Sequence, residues 1–136
     1  MDIRELTTAT ERREAVPLLR QLWTEKPPET VLAWTNEERY HLFGGYLDEE
    51  LIAVAGVLLE HLLHHTPHAW LYDLVVDEPR RGNGHGTAMV EHVERWAAER
   101  DCESVALASP LGKESTHRFY EEQAYSKWGY IIQKEL

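Results

Sequence analysis

The sequence predicts an α/β (α+β) fold, with a mixed central sheet and helices packed on it, in a single domain spanning residues 1–136. Three observations carry that expectation. The apolar residues change period along the chain, from helical to strand-like and back. The segments so marked run β-α-α-β-β-β-α-β-α-β, with strands outnumbering helices and both types alternating. A chain of 136 residues, 43% hydrophobic and 28% charged, can bury one sizeable core without metal or disulfide staples.

The elements follow in order. Residues 2–7 read as a short strand. Thr8 and Glu11 have the spacing of a capping box, which starts a helix. Ala15, Leu18, Leu19, Leu22 and Trp23 recur at helical spacing, and Pro17 should kink that helix. Pro27-Pro28 breaks the chain, and a second helical piece carries Val31, Leu32 and Trp34. Residues 40–47 and 51–60 are strand-like runs joined by Asp48-Glu49-Glu50, which reads as a hairpin. Residues 64–68 form a polar loop, and residues 69–76 a strong third strand. Residues 84–100 are an amphipathic helix, with Met89, Val93, Trp96 and Ala97 on one face and Glu91, Glu94, Arg95 and Glu99 on the other. Residues 104–108 are a short buried strand, 116–123 a helix, and 127–134 a strand-like tail.

Charge and composition exclude several functions. The formal net charge is -10, with 24 acidic against 14 basic residues, spread over both halves of the chain. Such a surface repels phosphate, so neither nucleic acid nor an anionic membrane is an expected partner. The longest apolar run, residues 51–59, is about half of a bilayer span, and the start lacks the basic and apolar regions of a signal peptide. Cys102 is the only cysteine, so no internal disulfide can form. A cytoplasmic protein is expected, and a homodimer is compatible with the sequence. The basic residues are mostly Arg; halophilic adaptation to a salt-rich cytosol and simple codon composition both account for this.

The most informative segment runs from Asp73 to Gly86. A strand ends near Val76, Pro79 turns the chain, and Gly82, Gly84 and Gly86 open the amphipathic helix. Glycines there allow positive φ and close approach of a ligand. The free amides of the first helical turn, with the helix dipole behind them, form an anion site. Arg81 adds a positive charge on its rim. A P-loop is excluded because Thr87-Ala88 stands where Lys and a hydroxyl residue are needed. The glycine spacing is also wrong for a dinucleotide fold.

Arg81-Gly82-Asn83-Gly84-His85-Gly86 after Leu74-Val75-Val76 resembles motif A of the GNAT family, the acyl-CoA-dependent N-acyltransferases. His117 to Tyr125, with Phe119-Tyr120 followed by a helix end and an aromatic, resembles motif B. The resemblance implies a sheet of about six or seven strands flanked by about four helices, with acetyl-CoA as the cofactor. Its pyrophosphate would sit on the backbone of Arg81, Gly82, Asn83, Gly84, His85, Gly86 and Thr87. Its pantetheine arm would pair with Leu74, Val75 and Val76, in a slot where two parallel strands splay apart. Two positions depart from the pattern. Lys113 stands where the family often carries Asn, and Gln123-Ala124 where it carries Leu-Gly. That glycine normally ends the helix in the left-handed region, where Ala costs about 1 kcal/mol more.

Direct acetyl transfer needs a neutral amine, a positioned donor carbonyl and a proton for the leaving thiolate, but no enzyme nucleophile. Cys102 therefore reads as a packing residue. Tyr120 matches the family's catalytic Tyr and, with a phenol pKa near 10, suits the role of general acid; a core aromatic beside Phe119 is the alternative. Asp73 is a lone carboxylate in an apolar strand, and is the candidate base, or else a carboxylate bonded to neighbouring backbone. Glu60 is the reserve. His61, His64, His65 and His68 cluster, but no Cys or carboxylate pattern joins them, so a solvated loop beside the acceptor mouth is expected and no metal. The first two helices, the Pro27-Pro28 junction and the strand around Tyr72 would build the acceptor site. Trp23 and Trp34 either line it or belong to the core. The acidic surface favours a cationic amine. The chain reads as an N-acetyltransferase acting on a primary amine of a small molecule or peptide. The alternative is an acyl-CoA-binding sensor domain without turnover.

Overall fold

The computed structural model describes residues 1–61 and 66–136. The elements are β1 (Asp2–Glu5), α1 (Ala9–Leu22), α2 (Pro28–Thr35), β2 (His41–Leu47), β3 (Glu50–Glu60), β4 (His68–Val76), a 3-10 turn (Glu78–Arg80), α3 (His85–Ala98), β5 (Ser104–Ala106) and α4 (Glu114–Glu122). The chain divides into two compact units, Met1–Ala106 and Leu107–Leu136.

Within the first unit the five strands form one sheet in the order β1-β2-β3-β4-β5. The first four are antiparallel and β5 joins β4 in parallel. The α/β class is as the sequence predicts, with fewer strands than the six or seven expected. The difference lies in the tail. Residues 126–136 form no strand, and Trp128, Tyr130, Ile131 and Ile132 are largely exposed. Alternation gives a segment strand character, but a strand exists only where a second edge takes its hydrogen bonds.

Local signals explain the element ends. The α1 capping box forms as expected: Glu11 N–H donates to Thr8 Oγ1 at 3.2 Å and Thr8 N–H to Glu11 Oε1 at 3.0 Å. The helix continues through Pro17 to Leu22. Asp48 and Glu49, both at positive φ (47° and 68°), make the two-residue hairpin turn between β2 and β3. Helices cover the sheet on both faces. Val16, Leu19, Val31, Leu42, Val54 and Val75 form a core under α1 and α2. On the opposite face Phe43 packs edge-on against Trp96 of α3, and Met89, Val90 and Val93 of α3 are sealed from water. Each such side chain contributes about 1.5–3 kcal/mol by leaving water.

His68 corrects one expectation. It belongs to β4, paired with Glu60 on one side and Ser104 on the other, and is 1% exposed rather than part of a solvated loop. Its Nδ1 meets the Thr66 carbonyl at 3.0 Å. His61 precedes the described gap, and His64 and His65 lie outside the described residues.

Candidate active site

The slot expected from the resemblance would open where β4 loses its parallel neighbour. β4 pairs with β3 through Val76, but with β5 only at His68, Ala69 and Trp70. Beyond Trp70 the other backbone edge of β4 has no strand partner among the described residues. Leu74, Val75 and Val76 lie on that stretch. Unpaired backbone amides and carbonyls on such an edge can receive an extended ligand.

The glycine loop continues from it. After the 3-10 turn, Arg81 is extended, and Gly82 and Gly84 both take φ of 82°. Side chains rarely adopt that conformation, so the sequence needs glycine at both positions. A Cβ at either would meet nothing within 4 Å, so the space beside the loop is open to a ligand. Gly84 is the N-cap of α3; it has no side chain to cap the helix, and the first turn carries no acidic residue. The amides at His85, Gly86 and Thr87 stand at that helix start, an arrangement that can hold an anion. Asn83 Nδ2 donates to the carbonyls of Arg80 and Arg81 at 3.1 and 3.3 Å, closing the loop on itself. The Arg81 guanidinium is not free on a rim. Its Nε donates to the Val76 carbonyl at 2.8 Å and its Nη2 to Gln21 Oε1 at 3.1 Å.

Asp73 sits on β4 on the face covered by α1 and is 8% exposed. Its partners are side chains, not the neighbouring backbone. Trp23 Nε1 donates to Oδ1 at 2.7 Å, and the Tyr40 hydroxyl donates to Oδ2 at 2.6 Å. Burial pushes the carboxyl above the ordinary carboxylate range, while the two donors pull it back. Burial, then the Asp73 charge, pushes the Tyr40 phenol well above its ordinary value, so Tyr40 stays protonated as a donor. Gly56 of β3, directly across from Asp73, makes this contact possible: a Cβ there would run into the Tyr40 hydroxyl. Trp23 and Trp34 meet edge to face at 5.8 Å and are each about two-fifths exposed. They are thus rim residues rather than core. Tyr72, 52% exposed, lies on the opposite face of β4 from Asp73.

Sequence reasoning finds Asp73 but misses Tyr40, Gly56, Gln21 and the Trp23 N–H, because those partners stand far away in the chain. A glycine inside the apolar strand β3 is the one available signal of a close approach. Glu60 is elsewhere: it lies four residues along β3 from Gly56, about 13 Å at strand rise, and pairs with Arg39 at 3.2 Å. Cys102 is partly buried and burial raises its thiol pKa, so it is a poor nucleophile.

In the second unit, Phe119 and Tyr120 stack edge-on at 5.0 Å within α4. Burial raises the Tyr120 phenol to about 12, above the ordinary value near 10 expected from sequence. The helix ends in a Schellman motif despite the missing glycine. The Tyr125 amide donates to the Tyr120 carbonyl and the Ala124 amide to the Glu121 carbonyl, both at 3.0 Å, with Ala124 at φ 67°. His117 Nε2 meets the Pro110 carbonyl at 3.0 Å.

Comparison with known proteins agrees with this architecture. The family model described as acetyltransferase (GNAT) matches residues 3–125. An uncharacterized N-acetyltransferase, YhdJ, of Bacillus subtilis (strain 168) is 32% identical over 138 residues, covering 98% of this chain and 94% of the relative. The aminoalkylphosphonate N-acetyltransferase of Salmonella typhimurium is 29% identical over 87 residues, covering 61% of this chain and 56% of the relative. Among solved structures, the complex of AAC(6')-Iy with the bisubstrate analog CoA-S-monomethyl-acetylneamine superposes with a TM-score of 0.89 at 20% identity, covering 99% of this chain and 97% of that one. These matches show that the chain belongs to the GNAT family as an acetyl-CoA-dependent acetyltransferase.

Proposed function

We propose that the chain transfers the acetyl group of acetyl-CoA to a primary amine of a cationic small molecule, by direct attack. In this reading the amides of residues 82–87 hold the pyrophosphate, the Arg81 amide being engaged by the Glu78 carbonyl at 3.3 Å. The edge at Leu74, Val75 and Val76, where the Val76 carbonyl already accepts from Arg81 Nε, takes the pantetheine arm. Asp73 accepts the amine's proton as nitrogen attacks the thioester carbonyl. Tyr120 gives a proton to the sulfur as the C–S bond breaks. The observation that carries the proposal is the buried Asp73, held at both oxygens by Tyr40 and Trp23 beneath an exposed tryptophan pair. A buried carboxylate with a raised pKa is suited to base catalysis, and indole faces attract ammonium groups. The aminoglycoside portion of the AAC(6')-Iy ligand and the acidic composition both support a polycationic acceptor. Both units are read as parts of one catalytic domain of the cytoplasm.

Thiol release from acetyl-CoA tests this with aminoglycosides, polyamines, aminoalkylphosphonates and lysine peptides as acceptors. Release with aminoglycosides or polyamines is expected, and Asp73→Asn should lower kcat/KM by roughly 10²-fold or more. The substitution is a fair one, since an Asn oxygen can face Trp23 while its amide faces the rotatable Tyr40 hydroxyl. CoA binding without release to any amine would instead make the chain an acyl-CoA sensor.

A further inference from the structure

Gln21, in the last turn of α1, reaches across to the loop between β4 and α3. Its Nε2 donates to Asp77 Oδ1 at 2.7 Å. Its Oε1 accepts from the Glu78 amide at 3.2 Å and from Arg81 Nη2 at 3.1 Å. Arg81 is in turn fixed to the Val76 carbonyl at 2.8 Å. One amide side chain thus touches the residue after β4, the 3-10 turn and the residue opening the glycine loop, 56 to 60 positions away in sequence.

We propose that Gln21 is a positioning residue for acetyl-CoA, clamping the β4–α3 loop in the shape that presents its amides to the pyrophosphate. The inference rests on reading that loop as the pyrophosphate site. Gly82 and Gly84 leave the loop with more backbone freedom than any other residue type would, and ordering it on binding would weaken affinity. A loop already fixed by α1 avoids that loss. The clamp also manages charge. Asp77 and Glu78 flank a site meant for an anion; Gln21 engages the Asp77 carboxylate and holds the Arg81 guanidinium beside the loop. The task needs a neutral group that donates and accepts at once. Glu could not donate to Asp77, and Lys or Arg could not accept from Glu78. The amide of Gln meets both demands.

Gln21→Met keeps length and helix propensity but removes all three contacts. Calorimetric titration with CoA should show about tenfold weaker binding, the order expected for lost partly exposed hydrogen bonds. Hydrogen exchange of the amides at 77–84 should quicken without ligand, while the sheet and α1 keep their protection. In thiol release with an amine acceptor, the loss should fall on KM for acetyl-CoA rather than on kcat. Gln21→Glu, with a charge facing Asp77, should bind no better than Gln21→Met. Gly84→Val is the control for the site itself and should abolish CoA binding. If Gly84→Val does so while Gln21→Met binds like the wild type, the clamp is wrong and the site stands. If Gly84→Val binds CoA normally, the site reading falls and the clamp with it. A parallel drop in melting temperature, kcat and affinity in Gln21→Met would reduce Gln21 to a structural residue.

Discussion

Tyr120→Phe keeps the ring and its packing against Phe119 and removes only the hydroxyl with its proton. If the phenol protonates the thiolate, kcat should fall by roughly 10²-fold, with CoA affinity and melting temperature unmoved; normal turnover would assign the proton to water or another group. With the phenol at about 12, Tyr120 alone gives no basic limb at ordinary assay pH. If Asp73 is the base, the acid limb is its own. Burial raises its carboxyl above 3.8, so kcat/KM should fall as pH drops through that raised value, and Tyr40→Phe, which removes a donor, should move the limb upward. Stability runs the opposite way. The folded protein holds this proton more tightly than the unfolded chain, so the contribution is complete below 3.8 and lost as pH rises through the folded value. At this scale the sequence is half legible. A lone acid in an apolar strand is visible as an anomaly, but its two donors, 33 and 50 residues distant, are not.

Elements whose signals are local read most accurately. The Thr8–Glu11 capping box, the acidic hairpin turn and the glycine start of α3 each depend on residues within one turn of each other. The end of α4 is the instructive case, because Ala124 adopts the left-handed conformation that its neighbours' hydrogen bonds require. Ala124→Gly should relieve that strain and stabilise the protein by about 0.5–1 kcal/mol, the steric gain being offset in part by greater unfolded-state freedom. Urea unfolding checks it: the midpoint should rise with the slope unchanged. A midpoint that falls would mean that Ala124 is not strained. The tail, strand-like in sequence but no strand in the structure, is the converse case. Its alternation is local, while the edge a strand needs is supplied from elsewhere in the fold.

For the molecule as a whole, charge decides more than any single contact. Several ion pairs join described residues, such as Arg80–Glu50 at 2.8 Å and Arg39–Glu60 at 3.2 Å. Surface pairs of this kind are worth about 0–1 kcal/mol each and weaken in salt. Against them stands the repulsion of 24 carboxylates facing 14 basic groups, which salt relieves. Melting temperature should therefore rise steadily from low to molar KCl. A flat response would leave codon composition as the account of the Arg excess. The division at Ala106 coincides with a change in charge, since Met1–Ala106 carries 20 acidic and 10 basic residues and Leu107–Leu136 four of each. It arises from where contacts fall, which a linear reading does not contain.

The Tyr40 hydroxyl occupies the room left by the missing side chain of Gly56, and this constrains how the sequence can drift. Any residue other than glycine at position 56 is barred while Tyr40 remains, and Tyr40 has its purpose only while Asp73 needs a donor. The three sites should vary as a set among descendants of this chain. A lineage that gives up the acid at 73 can lose the phenol next, and only then becomes free to place a side chain at 56. Exchanged in the reverse order, the same three substitutions begin with a collision.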